Sequence, residues 1–346
     1  MRKLYLVELL RFISSISVLI YHYKIFFFEF NGFLKLNLNN ELFLLPFNSF
    51  INLFYRYGDY GVQMFWCISG FIITYVYLNK KYLVSSKEFF INRFSRLYPL
   101  HFITLFLILF IQLISKNYTG VYQLFDYNDV YHFFLNIFFI SGWGFENGLN
   151  FNQPIWSVSM ELIAYTFFFV CIKFIKNFQL KFLFISYFVL LLTNKLLFPD
   201  NANINFISCV NLFISGSIIY FLVKKIKKQN IFLFSFLLLL FSFIGNFKIL
   251  MFCPAILMLF IVSEDLFKNK INKNLFSMMG NVTYSTYLLH APYSIVLILL
   301  IKSEKDIYLS NYFFFFYFST LIIASLFVYI FIEKKLQKKI RFSLNR

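Results

Sequence analysis

Arg11 and His22 lie eleven residues apart in one apolar stretch, LVELLRFISSISVLIYHYKIF, where a membrane helix ordinarily excludes charge. Eleven residues at about 100° each come to about 1100°, within about 20° of three whole turns, so both side chains share one helical face. At about 1.5 Å per residue they stand roughly 16 Å apart along the axis, about half the hydrocarbon thickness. An arginine at that depth costs about 2.5–3.5 kcal/mol, and ionisable residues kept there line a cavity or a path. The pair therefore reads as a site.

Four further clusters could join it. Arg93-Phe94-Ser95-Arg96 precedes Leu97-Tyr98-Pro99. Its arginines, at i and i+3 on one face, can clamp a phosphate or pyrophosphate, or can serve as a basic anchor snorkelling to the interface. Gln153-Pro154-Ile155-Trp156-Ser157-Val158-Ser159-Met160-Glu161, with Tyr165 one turn on, puts an acid inside a span, where it must pair, carry a proton or bind a polar substrate unless it lies near the surface. Trp156 suits an interfacial belt or a platform for a sugar ring. Gly280-Asn281-Val282-Thr283-Tyr284-Ser285-Thr286-Tyr287-Leu288-Leu289-His290-Ala291-Pro292 carries a second intramembrane histidine. It can act as a helix-to-helix hydrogen-bonding group, and Pro292 implies a kink whose freed backbone group a neighbour must satisfy. In the run from Gly58 to Phe71, Ser69 and Gly70 permit close helix contact.

The elements that position these residues follow from composition. Of 346 residues 60% are hydrophobic and only 14% charged, with a mean hydropathy of +0.72, which describes an all-α integral membrane protein. A net charge of +17 would suggest nucleic acid in a soluble chain. Here the basic residues cluster between apolar runs, so the expected partner is membrane lipid and not nucleic acid. Cys67, Cys171, Cys209 and Cys253 fall inside apolar segments without paired spacing and read as core residues rather than metal ligands or disulfides.

A window of about 19 residues predicts a bundle of ten spans near 4–28, 61–78, 97–115, 155–174, 182–197, 204–223, 231–246, 249–263, 281–301 and 311–332. With both termini in the cytoplasm, most of the 32 lysines and arginines fall on the cytoplasmic side, which sets the expected orientation. The first span shows no cleavage site after a short apolar core and is expected to be retained. Segment 131–145, short and glycine-punctuated, is expected to be interfacial or re-entrant. The 29–60 connection is expected to form a partly ordered lid on the outer face. The chain thus reads as a single transmembrane domain over 1–346 with no separate soluble domain, no internal repeat and no pair of broken segments.

In sequence order the motifs resemble the membrane-bound acyltransferase 3 family, whose members O-acetylate cell-envelope glycans. The resemblance runs from Arg11 to Glu333. It rests on Arg11 and His22, Gly-Val-x-x-Phe-x-x-x-Ser-Gly-Phe at 61–71, Arg-x-x-Arg-Leu-Tyr-Pro at 93–99 and Trp-Ser-x-Ser-x-Glu at 156–161. Tyr-Ser-x-Tyr-Leu-x-His-x-Pro at 284–292 and Phe-Ile-Glu-Lys at 331–334 complete it.

The resemblance implies a multi-pass enzyme of the bacterial cytoplasmic (inner) membrane that takes acetyl-CoA as donor substrate, binds no permanent cofactor and acylates an envelope or exported glycan. Arg93 and Arg96 would hold the donor phosphates and Arg11 would position the donor. His22 would be the catalytic base or a transient acyl carrier, with Glu161 in the catalytic group. Trp156, Ser159, Tyr165, Tyr287 and His290 would contact the acceptor or support those that do. Departures are Gln63 where the family often has an acid, Leu289 and Ala291 in place of a bulky residue beside His290, and Lys335 in place of proline. No hydrolase-like outer domain, which some members carry, is expected after the last span, so the acceptor would meet the membrane domain itself. The alternative from another class is a transporter or flippase for a lipid-linked glycan. A structural subunit of an envelope assembly is a third reading, and it would tolerate replacement of Arg11, His22 or Glu161.

Overall fold

The computed structural model describes residues 3–27, 42–80, 84–197, 205–243, 248–267, 269–301 and 305–344. Every described element is helical. In chain order these are α1 (Tyr5–His22, continued by a 3₁₀ turn, Tyr23–Phe27), α2 (Asn48–Tyr57), α3 (Tyr60–Leu78), α4 (Ser86–Thr119) and α5 (Val130–Ile137). Next come α6 (Ile155–Phe178), α7 (Leu180–Leu197), α8 (Asn205–Lys225), α9 (Lys228–Ser242) and α10 (Lys248–Ser263). The chain closes with α11 (Lys273–Ile301), α12 (Lys305–Leu309), α13 (Asn311–Val328), a π-helical turn (Tyr329–Glu333) and α14 (Lys334–Leu344).

Each of the ten apolar runs has a helix. Seven, beginning at Tyr5, Tyr60, Ser86, Ile155, Phe206, Lys273 and Asn311, are long and apolar enough to cross a membrane. Helices α9 and α10 are apolar but shorter.

Two helices begin well before the predicted spans. Helix α4 starts at Ser86, so Arg93 and Arg96 are helical, and α11 starts at Lys273. There Asn272 Oδ1 accepts from Leu275 N at 3.1 Å. Hydropathy finds only the apolar part of such a helix, whereas the hydrogen-bonded ladder continues to its cap. Within 131–145 the chain forms only α5, of 8 residues, about 12 Å long and too short to cross. Asp129 caps α5 through His132 N at 2.9 Å and meets the His132 ring at 2.9 Å. Desolvation works against the Asp129 carboxylate, but the His132 amide and ring outweigh it and hold its carboxyl below the usual range. Of the expected lid, residues 29–41 lie outside the described residues, and the rest carries a 3₁₀ turn at Leu42–Leu44 and helix α2.

The chain packs as two compact units, interleaved in sequence. The first draws on residues within 1–14, 60–86 and 160–281. Its centre is the crossing of α3 and α8, where lipid supplies no hydrophobic drive and close backbone packing must do so. A Cβ on Gly70 would lie 1.9 Å from Phe213 O, and one on Gly216 would lie 1.9 Å from Cys67 O. The glycines therefore face each other's helix, as the reading of Gly70 anticipated. Thr74 Oγ1 donates to Ser217 Oγ at 2.8 Å beside them. Since the obstructing atoms are backbone, Gly70→Ala is expected to cost about 1–3 kcal/mol or more. A thermal midpoint in detergent equal to wild type would refute this. In the same unit the buried Glu264 carboxylate accepts from Tyr5 N at 2.9 Å and Leu6 N at 2.7 Å, an anion on the first turn of α1.

The second unit draws on residues within 15–59, 87–159 and 282–346. Tyr23, fully buried, lies among Phe26, Tyr55, Phe314, Tyr317 and Phe318. Its hydroxyl donates to Tyr308 O at 2.7 Å. The residue after His22 is thus fixed by packing and by a hydrogen bond. Helix α11 runs through Pro292. Proline has no N–H, so the carbonyl of Leu288 loses its donor, and Asn152, wholly buried, supplies one with its Nδ2 at 3.1 Å. A second amide hydrogen bond joins Asn152 Nδ2 to Thr104 Oγ1 at 3.2 Å. Glu333, buried at the end of the π-helical turn, accepts from Ser285 Oγ.

Candidate active site

The residues singled out by type and spacing fall into groups within the two units. The most chemically capable is in the second. His22, the last residue of α1, places its Nδ1 3.0 Å from Nε2 of His290 in α11. The ring planes are 10° apart. His290 is 1% exposed and its Nδ1 lies 2.6 Å from the Tyr287 carbonyl.

A carbonyl oxygen only accepts, so Nδ1 of His290 carries a proton. In the neutral ring Nε2 is then an acceptor. The N–H between the two histidines therefore belongs to Nδ1 of His22, and the lone pair of the His22 ring resides on its Nε2. This is the arrangement of an imidazole base held in one tautomer by a second group.

Tyr287 links this pair to the tryptophan–serine motif. Its hydroxyl lies 2.7 Å from Ser157 Oγ and donates to Pro154 O at 3.1 Å. Ser157 and Tyr287 are both buried. The first turn of α6 and the histidine turn of α11 are thereby joined, and Asn152, just before α6, holds the same stretch of α11 through Leu288. Trp156 is half-buried in that turn. Ser159, buried, spends its hydroxyl on the carbonyls of Trp156, at 2.7 Å, and of Ser141, while its own carbonyl accepts from Trp143 Nε1 at 3.4 Å. It ties the segment after α5 to α6.

Within the first unit, Glu161 accepts from Ser69 Oγ at 3.1 Å and from the Tyr165 hydroxyl. Glu161 is partly exposed and Tyr165 is buried. Arg11 donates through Nη1 to Glu8 Oε2 at 2.8 Å, one turn earlier on α1. Room for the Glu8 carboxylate comes from Gly280, where a Cβ would sit 1.8 Å from Oε2. The arginine in α1 is thus part of an ion pair whose acid the sequence shows at i−3. Its neighbour across the pair explains the glycine that opens the α11 motif. Arg93 and Arg96 are half-buried on one side of α4, in the second unit.

Sequence reasoning missed three supporting residues. Glu8 was detectable from its spacing to Arg11. Asn152 was signalled by Pro292, which demands an outside donor, although nothing local names which residue supplies it. Glu264 had no signal beyond being an acid beside a span.

A family model described as an acyltransferase domain matches residues 4–331 of the chain. Neither the curated proteins nor the solved structures contain a match to it.

Proposed function

The chain belongs to the acyltransferase 3 family, and we propose that within it this protein is an O-acetyltransferase that moves acetyl from cytoplasmic acetyl-CoA to a hydroxyl of a cell-envelope or exported glycan. Its helices are those of a multi-pass membrane protein. The proposed setting is the bacterial cytoplasmic membrane, with both termini inside. The observation that supports the mechanism is the His22–His290 pair, His22 Nδ1 lying 3.0 Å from His290 Nε2, for which the tautomer argued above leaves the His22 lone pair on Nε2.

In the proposed reaction the acceptor hydroxyl gives its proton to His22 Nε2 as its oxygen attacks the thioester carbonyl. The C–S bond breaks as the ester C–O bond is completed. The imidazolium then returns the proton to the departing CoA thiolate, so the products are the ester and the free thiol. His290 accepts from His22 Nδ1 throughout and so supports the imidazolium, while Tyr287 and Ser157 hold His290 in place. Arg93 and Arg96 take the donor phosphates, for which arginine pairs at i and i+3 are suited. Arg11 positions the donor. Glu161, with Tyr165, and Trp156, with Ser159 nearby, orient the acceptor.

The test uses purified protein in lipid nanodiscs with isotopically labelled acetyl-CoA and envelope glycans. Mass spectrometry is expected to find one labelled acetyl ester per modified residue and free CoA in equal amount. Glycan carried across a bilayer with no mass increment would turn the reading to a transporter.

A further inference from the structure

The turn that carries Arg93 and Arg96 meets a third arginine from far along the chain. Helix α14 reads KKLQKKIRFSL, and the Nε of its Arg341 donates to Ser95 Oγ at 3.1 Å, across 246 positions. Ser95 is 1% exposed, and its own hydroxyl donates to Asn92 O at 3.4 Å. Around α4, Asn92, Ser95 and Arg96 fall within about 100° of one another, and Arg93 lies about 60° beyond Arg96. Arg341 therefore arrives at the edge of the arginine face.

A buried serine that bridges a backbone carbonyl and a guanidinium fixes where that guanidinium sits. An arginine held through one N–H loses less freedom when its planar fork meets a second, anionic partner than a solvated lysine would. Arg341 thereby adds a third guanidinium to the turn that carries Arg93 and Arg96. The rest of α14 carries lysines, which supply general attraction to a charged surface, whereas the tethered group is an arginine.

We propose that Arg341 is a third binding residue for the phosphates of the CoA donor, acting with Arg93 and Arg96. This rests on the reading that those two arginines take the donor phosphates. It makes donor binding depend on the C-terminal helix.

The experiment measures coenzyme A binding by calorimetry to the full chain in zwitterionic nanodiscs, alongside acetyl transfer. Arg341→Gln is expected to weaken binding about tenfold. Arg341→Lys, which keeps the charge without the fork, should recover part of the loss. Ser95→Ala, which leaves the charge but removes its tether, should weaken binding about threefold. Removing the phosphates tests the contact itself: S-acetylpantetheine should inhibit the wild type and Arg341→Gln equally. Equal coenzyme A affinity in wild type and Arg341→Gln overturns the proposal. So does a loss seen only when anionic lipid is present, which would give the arginine to lipid headgroups. So does an equal loss for the phosphate-free thioester, which would make the effect structural. Wild-type protein that binds coenzyme A through Arg341 yet transfers no acetyl would sink the acyltransferase mechanism while leaving this contact standing.

Discussion

Replacing His22 with alanine is expected to lower acetyl transfer by about 10²–10⁴-fold, the usual contribution of a positioned general base. The substitution removes a half-buried ring at the last residue of α1. Folding should survive it, because the next residue, Tyr23, is what anchors this end of the helix, through its aromatic surroundings and the Tyr308 carbonyl. The loss should therefore appear in kcat, with coenzyme A affinity close to wild type, since the proposed donor phosphates bind elsewhere on the chain. Single-turnover transfer and calorimetric binding measured on the same preparation separate the two. Transfer by His22→Ala at the wild-type rate would remove His22 from the chemistry.

The second large effect is expected at His290, through another residue's proton. His290 Nδ1 is committed to the Tyr287 carbonyl, so its Nε2 must accept, and this holds the His22 proton on Nδ1. With leucine at 290 that acceptor disappears, and His22 is free to carry its proton on Nε2, the atom that has to be basic. Loss of the orienting partner of a catalytic histidine costs up to about 10⁴-fold in serine proteases. Here the partner is neutral, and His290→Leu is expected to cost about 10²-fold or more. His290→Gln, whose amide oxygen can accept, should retain more activity than leucine. Nitrogen-15 NMR of labelled histidine gives a readout independent of rate, since it reports which His22 nitrogen bears hydrogen. An unchanged His22 tautomer together with an unchanged rate in His290→Leu would reduce the pair to a packing contact.

Much of the fold was legible in the residues alone, because helices in a membrane satisfy their backbone internally and declare themselves as apolar runs. The long helices sit where hydropathy puts them, and they differ mainly where about two or three more polar turns, such as those of α4 from Ser86 or α11 from Lys273, extend a helix beyond its apolar part. The placement of Arg11 and His22 on one helix was equally readable, since a period of 3.6 residues needs no knowledge of neighbours. So was the need for close contact at Gly70, whereas the Glu8 partner of Arg11 went unread although its spacing shows it.

Composition and periodicity thus determined an all-helical chain with apolar helices long enough to cross a membrane, and the order of its motifs carried the resemblance to the family. Tertiary structure alone decided which residues meet. Nothing local to His22 selects His290 as its partner, 268 positions away. Pro292 announces an orphaned carbonyl without saying that Asn152 will serve it. Arg341 looks like one more basic residue until Ser95 is found holding it. Partners of this kind depend on how helices cross and rotate against one another. Those crossings are set by packing at contacts such as Gly70 on Phe213 and Gly216 on Cys67, where shape, and not any periodic pattern, carries the information.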